Sequence, residues 1–165
     1  MSDERAVSRT DAIANSYVER YAELVPESAT IFGIPGFDHR LSDYSPAGLK
    51  AVNDLTVEVL DAIRALDSEG DGDRTDATTR AAMIERLSLE VEQFEALIPH
   101  SLVNNITSPV QRIRSIFDLM PQETAHDWVV ISERLAHVPA AVRGYEKSLK
   151  YAADRNVIVP ARQQR

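Results

Sequence analysis

The chain has 165 residues, of which 44% are hydrophobic and 27% are charged, and its formal net charge at pH 7 is −8. This composition excludes wholesale disorder, and the negative charge argues against nucleic acid or an anionic membrane surface as a partner. The lack of cysteine excludes disulfides, thiolate zinc sites and thiol nucleophiles. No secretory signal or membrane-spanning run is visible, so we expect a soluble cytoplasmic protein with one helical domain over residues 1–165.

Apolar residues recur at helical spacing along most of the chain, and prolines or capping residues mark the helix starts. The predicted helices begin, in chain order, at Ser8 or Thr10, Pro26, Pro46, Thr75, Pro109, near Thr124 and at Pro139. Other residues also mark helix ends. Gly33 is predicted to end the second helix, and Ser108 with Gln111 is predicted to form a capping box at the start of the fifth. The segment IPHSLVNNITS has the composition of a loop.

The apolar stripes predict an all-α fold, an irregular multi-helix bundle of about six to seven helices. The residues expected to face the core are Ile13, Tyr17, Tyr21, Leu24, Leu49, Val52, Leu55, Val59, Ile63, Leu66, Ala77, Ile84, Leu87, Val91, Phe94, Ile113, Ile116, Phe117, Trp128, Ile131, Leu135, Val142, Tyr145 and Leu149. Val159-Pro160 has the form of a further helix start, yet only ARQQR follows. We therefore expect the sequence to be the N-terminal portion of a larger helical protein.

Histidine pairs are the first place to look for a metal site. The Glu123–His126 spacing is the one used in di-iron bundles, but that site needs a second such pair, which the sequence lacks. Glu133 and His137 lie four residues apart and are expected to form a surface ion pair. We predict no metal ligands and no catalytic residues in this chain.

Other familiar motifs are incomplete. The chain has neither a G-x-S-x-G nucleophile elbow nor a phosphate-binding loop of the G-x-x-x-x-G-K-S/T type. The acidic run DSEGDGD, with Asp67, Glu69, Asp71 and Asp73 at alternating positions, is similar to part of a calcium loop. It lacks the bidentate glutamate that such a loop needs, and a solvated linker is the simpler interpretation.

The stretch GIPGFDHRLSDYSP, residues 33–46, differs from its helical surroundings and allows two interpretations. In the first, Pro35-Gly36 makes a turn, Phe37 and Leu41 pin the loop to the core, and its charged groups pair or cap. In the second, four side chains project into a cleft and help to position a ligand. These candidate substrate-channel residues are Asp38, His39, Arg40 and Asp43.

Three segments resemble the N-terminal part of the bacterial family known as domain of unknown function 885. They are SYVERYAELVPESATIFGIPGFDHRLSDYSP, RAAMIERLSLEVEQFEALIP and AAVRGYEKSLKYAADRNVIVPARQQ. The most specific part is P-E-x-A-T followed by G-x-P-G-x-D-x-R-L-x-D-x-S-P. The order and spacing of these segments suit the family along nearly the whole chain.

The resemblance implies an almost entirely α-helical protein, usually more than three times as long, that is similar to zinc metallopeptidases. The zinc-binding His-Glu motif of such proteins lies in the C-terminal half and is absent here, so zinc is implied only for full-length relatives. Two hypotheses follow. The chain is either a catalytically inactive scaffold or channel-wall segment of such a protein, or a stand-alone helical interaction module. Its expected partner is the missing C-terminal catalytic half, or a second copy bound through exposed apolar helix faces.

Overall fold

The computed structural model describes residues 5–70 and 72–158, which form seven α-helices, one 3₁₀ helix and no strand. The helices are α1 (Arg9–Leu24), α2 (Pro26–Phe32), α3 (Pro46–Glu69), α4 (Arg74–Glu95), α5 (Ile98–Ser101), α6 (Pro109–Ser115), the 3₁₀ helix (Ile116–Leu119) and α7 (Ala125–Ala153). The predicted all-α multi-helix bundle is confirmed. The expected helix start at Val159-Pro160 lies outside the described residues, and none of the described helices is long and apolar enough to cross a membrane.

Most helix starts lie where the capping residues predict them. The Ser8 hydroxyl accepts a hydrogen bond from the Asp11 amide at 3.0 Å, and the Thr124 hydroxyl accepts one from the Asp127 amide at 3.2 Å. In both helices the aspartate carboxylate accepts a return bond from the capping residue's amide, which completes a capping box. Gly33 ends α2 with φ at 72°, a left-handed conformation that glycine adopts without a steric penalty.

Two local predictions are corrected. Ser108 precedes α6 as expected, but its hydroxyl bonds the Gln111 side chain and caps no backbone amide, so the predicted capping box does not form. The segment expected to be a loop contains the one-turn helix α5, whose preceding residue Leu97 has a positive φ of 58°. The sequence gives no reason to place a leucine in that conformation, which explains why the turn was not predicted.

Two apolar clusters hold the helices together. The first joins α1, α3 and α4; its buried members are Leu55, Val59, Leu60, Ile63 and Leu87. The second joins the 33–46 loop, α6 and α7; its buried members are Tyr44, Ile113, Ala141 and Tyr145. The α5 turn packs against both α4 and α7 and so links the two clusters.

The C-terminal helix departs most from the sequence prediction. Pro139 does not begin a new helix but lies inside α7, which is continuous over 29 residues. Three side chains expected in the core are largely exposed instead: Trp128 at 55%, Leu135 at 51% and Val142 at 42%. Ala77 on α4 is also exposed. In the first turn of that helix the buried side chain is that of Asp76, which forms a capping box with Asp73.

Candidate functional site

A buried carboxylate fixes the C-terminal half of the 33–46 loop. Glu27 is the second residue of α2 and has no exposed surface. Its carboxylate accepts hydrogen bonds from the Ser42 amide at 3.2 Å, from the Ser42 hydroxyl, and from the Tyr44 hydroxyl at 3.0 Å. Burial and the nearby Glu27 raise the pKa of Tyr44 well above its usual value, so this phenol remains a hydrogen-bond donor.

A buried arginine fixes the other half of the loop. Arg134 on α7 is fully buried, and its Nε donates to the Arg40 carbonyl at 2.8 Å. Its Nη2 donates to the Thr30 hydroxyl at 2.9 Å and to the Phe37 carbonyl at 3.3 Å. The Thr30 hydroxyl in turn donates to Asp38 at 2.6 Å. One guanidinium therefore ties α7 to both the α2 helix and the loop backbone.

The four predicted loop residues do not converge on one point. Asp38 is partly buried in the Arg134–Thr30 network, whereas His39 is exposed. The Arg40 side chain reaches the Glu23 carbonyl at 3.2 Å. Asp43 accepts a bond from the Ser45 amide at 2.9 Å and, of the four, is the one that lines the cleft described next. Of the two pinning residues, Leu41 packs against the second apolar cluster.

A cleft of about 310 Å³ lies beside the end of this loop. Its walls come from α1, α3, α4, α5 and α6, with the loop contributing Ser42, Asp43 and Tyr44. The apolar side chains that line it are Leu24, Val25, Leu49, Val52, Phe94, Ile98, Pro99, Leu102 and Pro109. A concave, mainly apolar site with a few polar groups is typical of small-ligand pockets.

The charged groups that line the cleft are of both signs. They are Arg112 on α6, Glu90 on α4 and Asp43 in the loop. Desolvation raises the pKa of Glu90, although the residue as a whole is exposed. Burial also raises the pKa of Tyr21. The charge of Glu90 acts in the same direction, and that of Arg112 acts in the opposite one.

Two glycines allow the loop, α3 and α7 to approach closely. A Cβ at Gly144 of α7 would lie 2.9 Å from the Ser45 nitrogen, and one at Gly48 of α3 would lie 2.0 Å from the Asp43 carbonyl oxygen. Neither position has room for a side chain without a backbone shift. The Ser148 hydroxyl adds a hydrogen bond of 2.6 Å to the Tyr44 carbonyl. These contacts set the position of the loop residues that line the cleft.

The histidines do not assemble a metal site within the described residues, where no group of three or more His, Asp or Glu side chains is placed to hold an ion. His126 is exposed, and the expected Glu133–His137 ion pair does not form in the described part of the chain, where both side chains are exposed. His100 is buried and stacks on Tyr151 with ring centroids 5.0 Å apart. Its pKa is lowered by burial and by the nearby Arg155.

The acidic run is used for structure. Asp67 pairs with Arg80 at 3.2 Å, Glu69 pairs with Arg9 at 2.7 Å, and Asp73 caps α4. Asp71 lies outside the described residues. Because Asp67 and Glu69 belong to the last turn of α3 and Asp73 caps α4, the connection between these helices is shorter than the predicted linker.

Glu27 and Arg134 were not predicted from sequence. A usable signal exists for Arg134: it follows Ile131 by three residues and precedes Val138 by four, so it lies on the buried stripe of its helix. A charged residue at such a position needs buried partners. The helical pattern does not mark Glu27, because an acidic residue in the first turn of a helix is ordinary at the surface. Its signal is its place in the P-E-x-A-T motif.

No curated protein matches the chain. A family model does match it, over residues 26–165, and that family is described as "Bacterial protein of unknown function (DUF885)". The matched range includes the loop, both buried anchors and all of the cleft lining except Tyr21, Leu24 and Val25. Because the match covers all but the first 25 residues, this chain belongs to the DUF885 family.

Proposed function

We propose that this chain is the N-terminal helical scaffold of a larger cytoplasmic protein resembling zinc-dependent metallopeptidases, and that it is catalytically inactive alone. In this role the 33–46 loop and the cleft beside it form part of a substrate-channel wall. The described residues offer no zinc site of their own, so the proposal assigns no step of hydrolysis to them. The partner would be a C-terminal half that carries the metal ligands.

The observation that supports this role most strongly is the double anchoring of the loop. Glu27 and Arg134 place two charged groups in the interior, where burial is costly and hydrogen bonds offset the cost. Within the described residues Arg134 Nη1 has no such bond, while Nε and Nη2 both donate. Their bonds go to the loop backbone, to loop hydroxyls and to Thr30 of α2 rather than to each other. Such an arrangement fixes the shape of a surface, as the wall of a binding channel requires.

The test is a peptide-hydrolysis assay on two proteins: this 165-residue chain, and the product of the continuous reading frame that contains it. We expect no turnover by the 165-residue chain with or without added Zn²⁺, and chelator-sensitive turnover by the longer product. Chelator-sensitive hydrolysis by the 165-residue chain would contradict the proposal. So would a reading frame that stops at Arg165.

A second function, a helical interaction module, is favoured by the exposed face of α7. Trp128, Leu135 and Val142 are spaced seven residues apart on one line and are half exposed. The occupant we propose is a second copy of the chain. In an antiparallel pairing centred on Leu135, Trp128 would lie beside Val142 of the other copy, because each is seven residues from the centre.

Light scattering distinguishes this module from the first function. If α7 pairs with itself, the wild-type chain is dimeric at high concentration and Leu135→Glu is monomeric. The matched control is His137→Glu, two residues later and on the opposite side of α7, which is also exposed and adds a charge away from the apolar stripe. A wild-type chain that stays monomeric would contradict the dimer.

A further inference from the structure

The cleft contains two polar groups that the described chain leaves without a protein partner. The Asn53 side-chain oxygen is buried, yet no described residue hydrogen-bonds to it. The Arg112 guanidinium has no ion pair or hydrogen bond within residues 5–70 and 72–158. Both residues line the cleft. Buried polar atoms in folded proteins almost always have a partner, which the Asn53 oxygen lacks. Arg112 is exposed, so its guanidinium is open to an anionic ligand.

The Asn53 group selects the kind of polar ligand. Its buried oxygen lacks a donor, and the nitrogen of the same carboxamide can donate to an acceptor. A ligand amide supplies both from one planar unit, and it does so whichever way the asparagine carboxamide is turned. A lone carboxylate or a lone ammonium supplies only half of this requirement.

The walls and charges of the cleft define the rest of the ligand. Leu49, Val52 and Phe94 provide an apolar surface, and a volume of about 310 Å³ is at the small end of ligand pockets. Arg112 and Glu90 both act on Tyr21, and of the two only Arg112 acts on Tyr44. An anionic group would therefore be attracted to Arg112 and repelled by Glu90 and by Asp43, the other carboxylate that lines the cleft.

We propose that this cleft binds a small carboxylate-bearing amide of the N-acyl amino acid class. The amide meets Asn53, the apolar side chain lies against the aliphatic wall, and the carboxylate pairs with Arg112. The site belongs to the 165-residue chain itself. Binding at this cleft can therefore be tested separately from any hydrolytic activity of a longer protein.

The probe for this site is N-acetyl-L-leucine, titrated into the ¹⁵N-labelled chain and followed by NMR. We expect saturable shifts of cleft amides with a dissociation constant of about 1 mM or tighter. Arg112→Gln is expected to weaken binding about tenfold, because it removes a charge-assisted hydrogen bond. Asn53→Ala is expected to weaken it by a similar factor.

Arg114→Gln is the matched control, since this arginine lies on the same short helix but outside the cleft and pairs with Asp118. It should bind like the wild type. N-acetyl-L-leucinamide, which lacks the carboxylate, should bind the wild type about tenfold more weakly and bind Arg112→Gln no worse than the acid does.

Three outcomes would overturn the assignment: no saturable shift, equal binding by Arg112→Gln and wild type, or equal binding of the acid and the carboxamide by the wild type. Arg112 is exposed, so its variant tests the proposal even if Asn53→Ala folds poorly.

Discussion

At the scale of single residues, Arg134 stands out because its whole side chain is removed from water. Burial lowers the pKa of Arg134, while Asp38 and Glu27 act in the opposite direction. An arginine keeps its charge even so, since its ordinary pKa lies above 12. Three of its contacts reach elements far apart in sequence, so the residue specifies where α7 meets the loop.

Replacing this side chain should therefore be costly. We expect Arg134→Met to lower the free energy of unfolding by about 3–5 kcal/mol, because it removes the positive charge that acts on Asp38 and Glu27 and leaves the loop carbonyls without donors. Arg143→Met on the exposed side of α7 should change it by less than about 0.5 kcal/mol. Urea denaturation measures both values, and equal values for the two variants would contradict the anchoring role.

A second residue-scale prediction concerns acid. Asp76 accepts bonds from Ser8 at 2.6 Å, Arg5 at 2.9 Å and the Asp73 amide at 2.9 Å, and these bonds hold its pKa well below the ordinary 3.8. Because the folded pKa is the lower one, the stabilisation is complete above about pH 3.8 and is lost as the pH falls below that value.

The measurement is urea denaturation at pH 7 and pH 3. We expect Asp76→Asn to be clearly less stable than the wild type at pH 7, with a smaller difference at pH 3. Asp118→Asn, an exposed surface carboxylate, should differ little from the wild type at either pH. A difference for Asp76→Asn that stays constant with pH would exclude a role for its ionisation.

At the scale of elements, α7 shows why a proline does not always mark a helix boundary. Pro139 cannot donate to the carbonyl four residues earlier, and its ring crowds that turn. The helix continues because buried residues on both sides of Pro139, Arg134 and Ala141 among them, pack on the loop and α6. Tertiary contacts thus outweigh the local preference of one residue.

Removing the proline should stabilise the protein. We expect Pro139→Ala to raise the free energy of unfolding by about 1–3 kcal/mol, because the helix regains a hydrogen bond and loses a steric conflict. Pro121→Ala in the exposed connection before α7 should act in the opposite direction, by about 0.4–1 kcal/mol, through the greater freedom of the unfolded chain. Thermal unfolding of both variants checks the signs, and a destabilising Pro139→Ala would refute the argument.

The helices that sequence predicts well are those whose ends carry their own signals. Ser8, Gly33, Ser45 and Thr124 act through bonds to near neighbours, so the local pattern suffices. Which side of α7 packs on the core was predicted less well, because this helix is apolar on more than one side. Trp128 and Ile131 have similar sequence signals, yet only Ile131 is buried. The cleft could not be predicted at all, since its walls come from segments distant along the chain.

At the scale of the whole molecule, the question is whether the two apolar clusters unfold together. The first lies among α1, α3 and α4, and the second lies among the loop, α6 and α7. α3 also contacts α7 directly, and α5 bridges α4 and α7. Helix contacts therefore connect the two clusters directly, as cooperative unfolding of the whole molecule requires.

Native-state hydrogen exchange on core variants of the two clusters decides this point. Ile113→Ala in the second cluster should cost about 2–5 kcal/mol. If the molecule unfolds as one unit, the slowest amides of α3 lose protection by the same free energy as those of α7. Leu87→Ala in the first cluster is the reciprocal variant and should lower protection in α7 as much as in α4. Protection lost only in the cluster that carries the substitution would mean two independent units, and residues 1–165 would then not be a single domain.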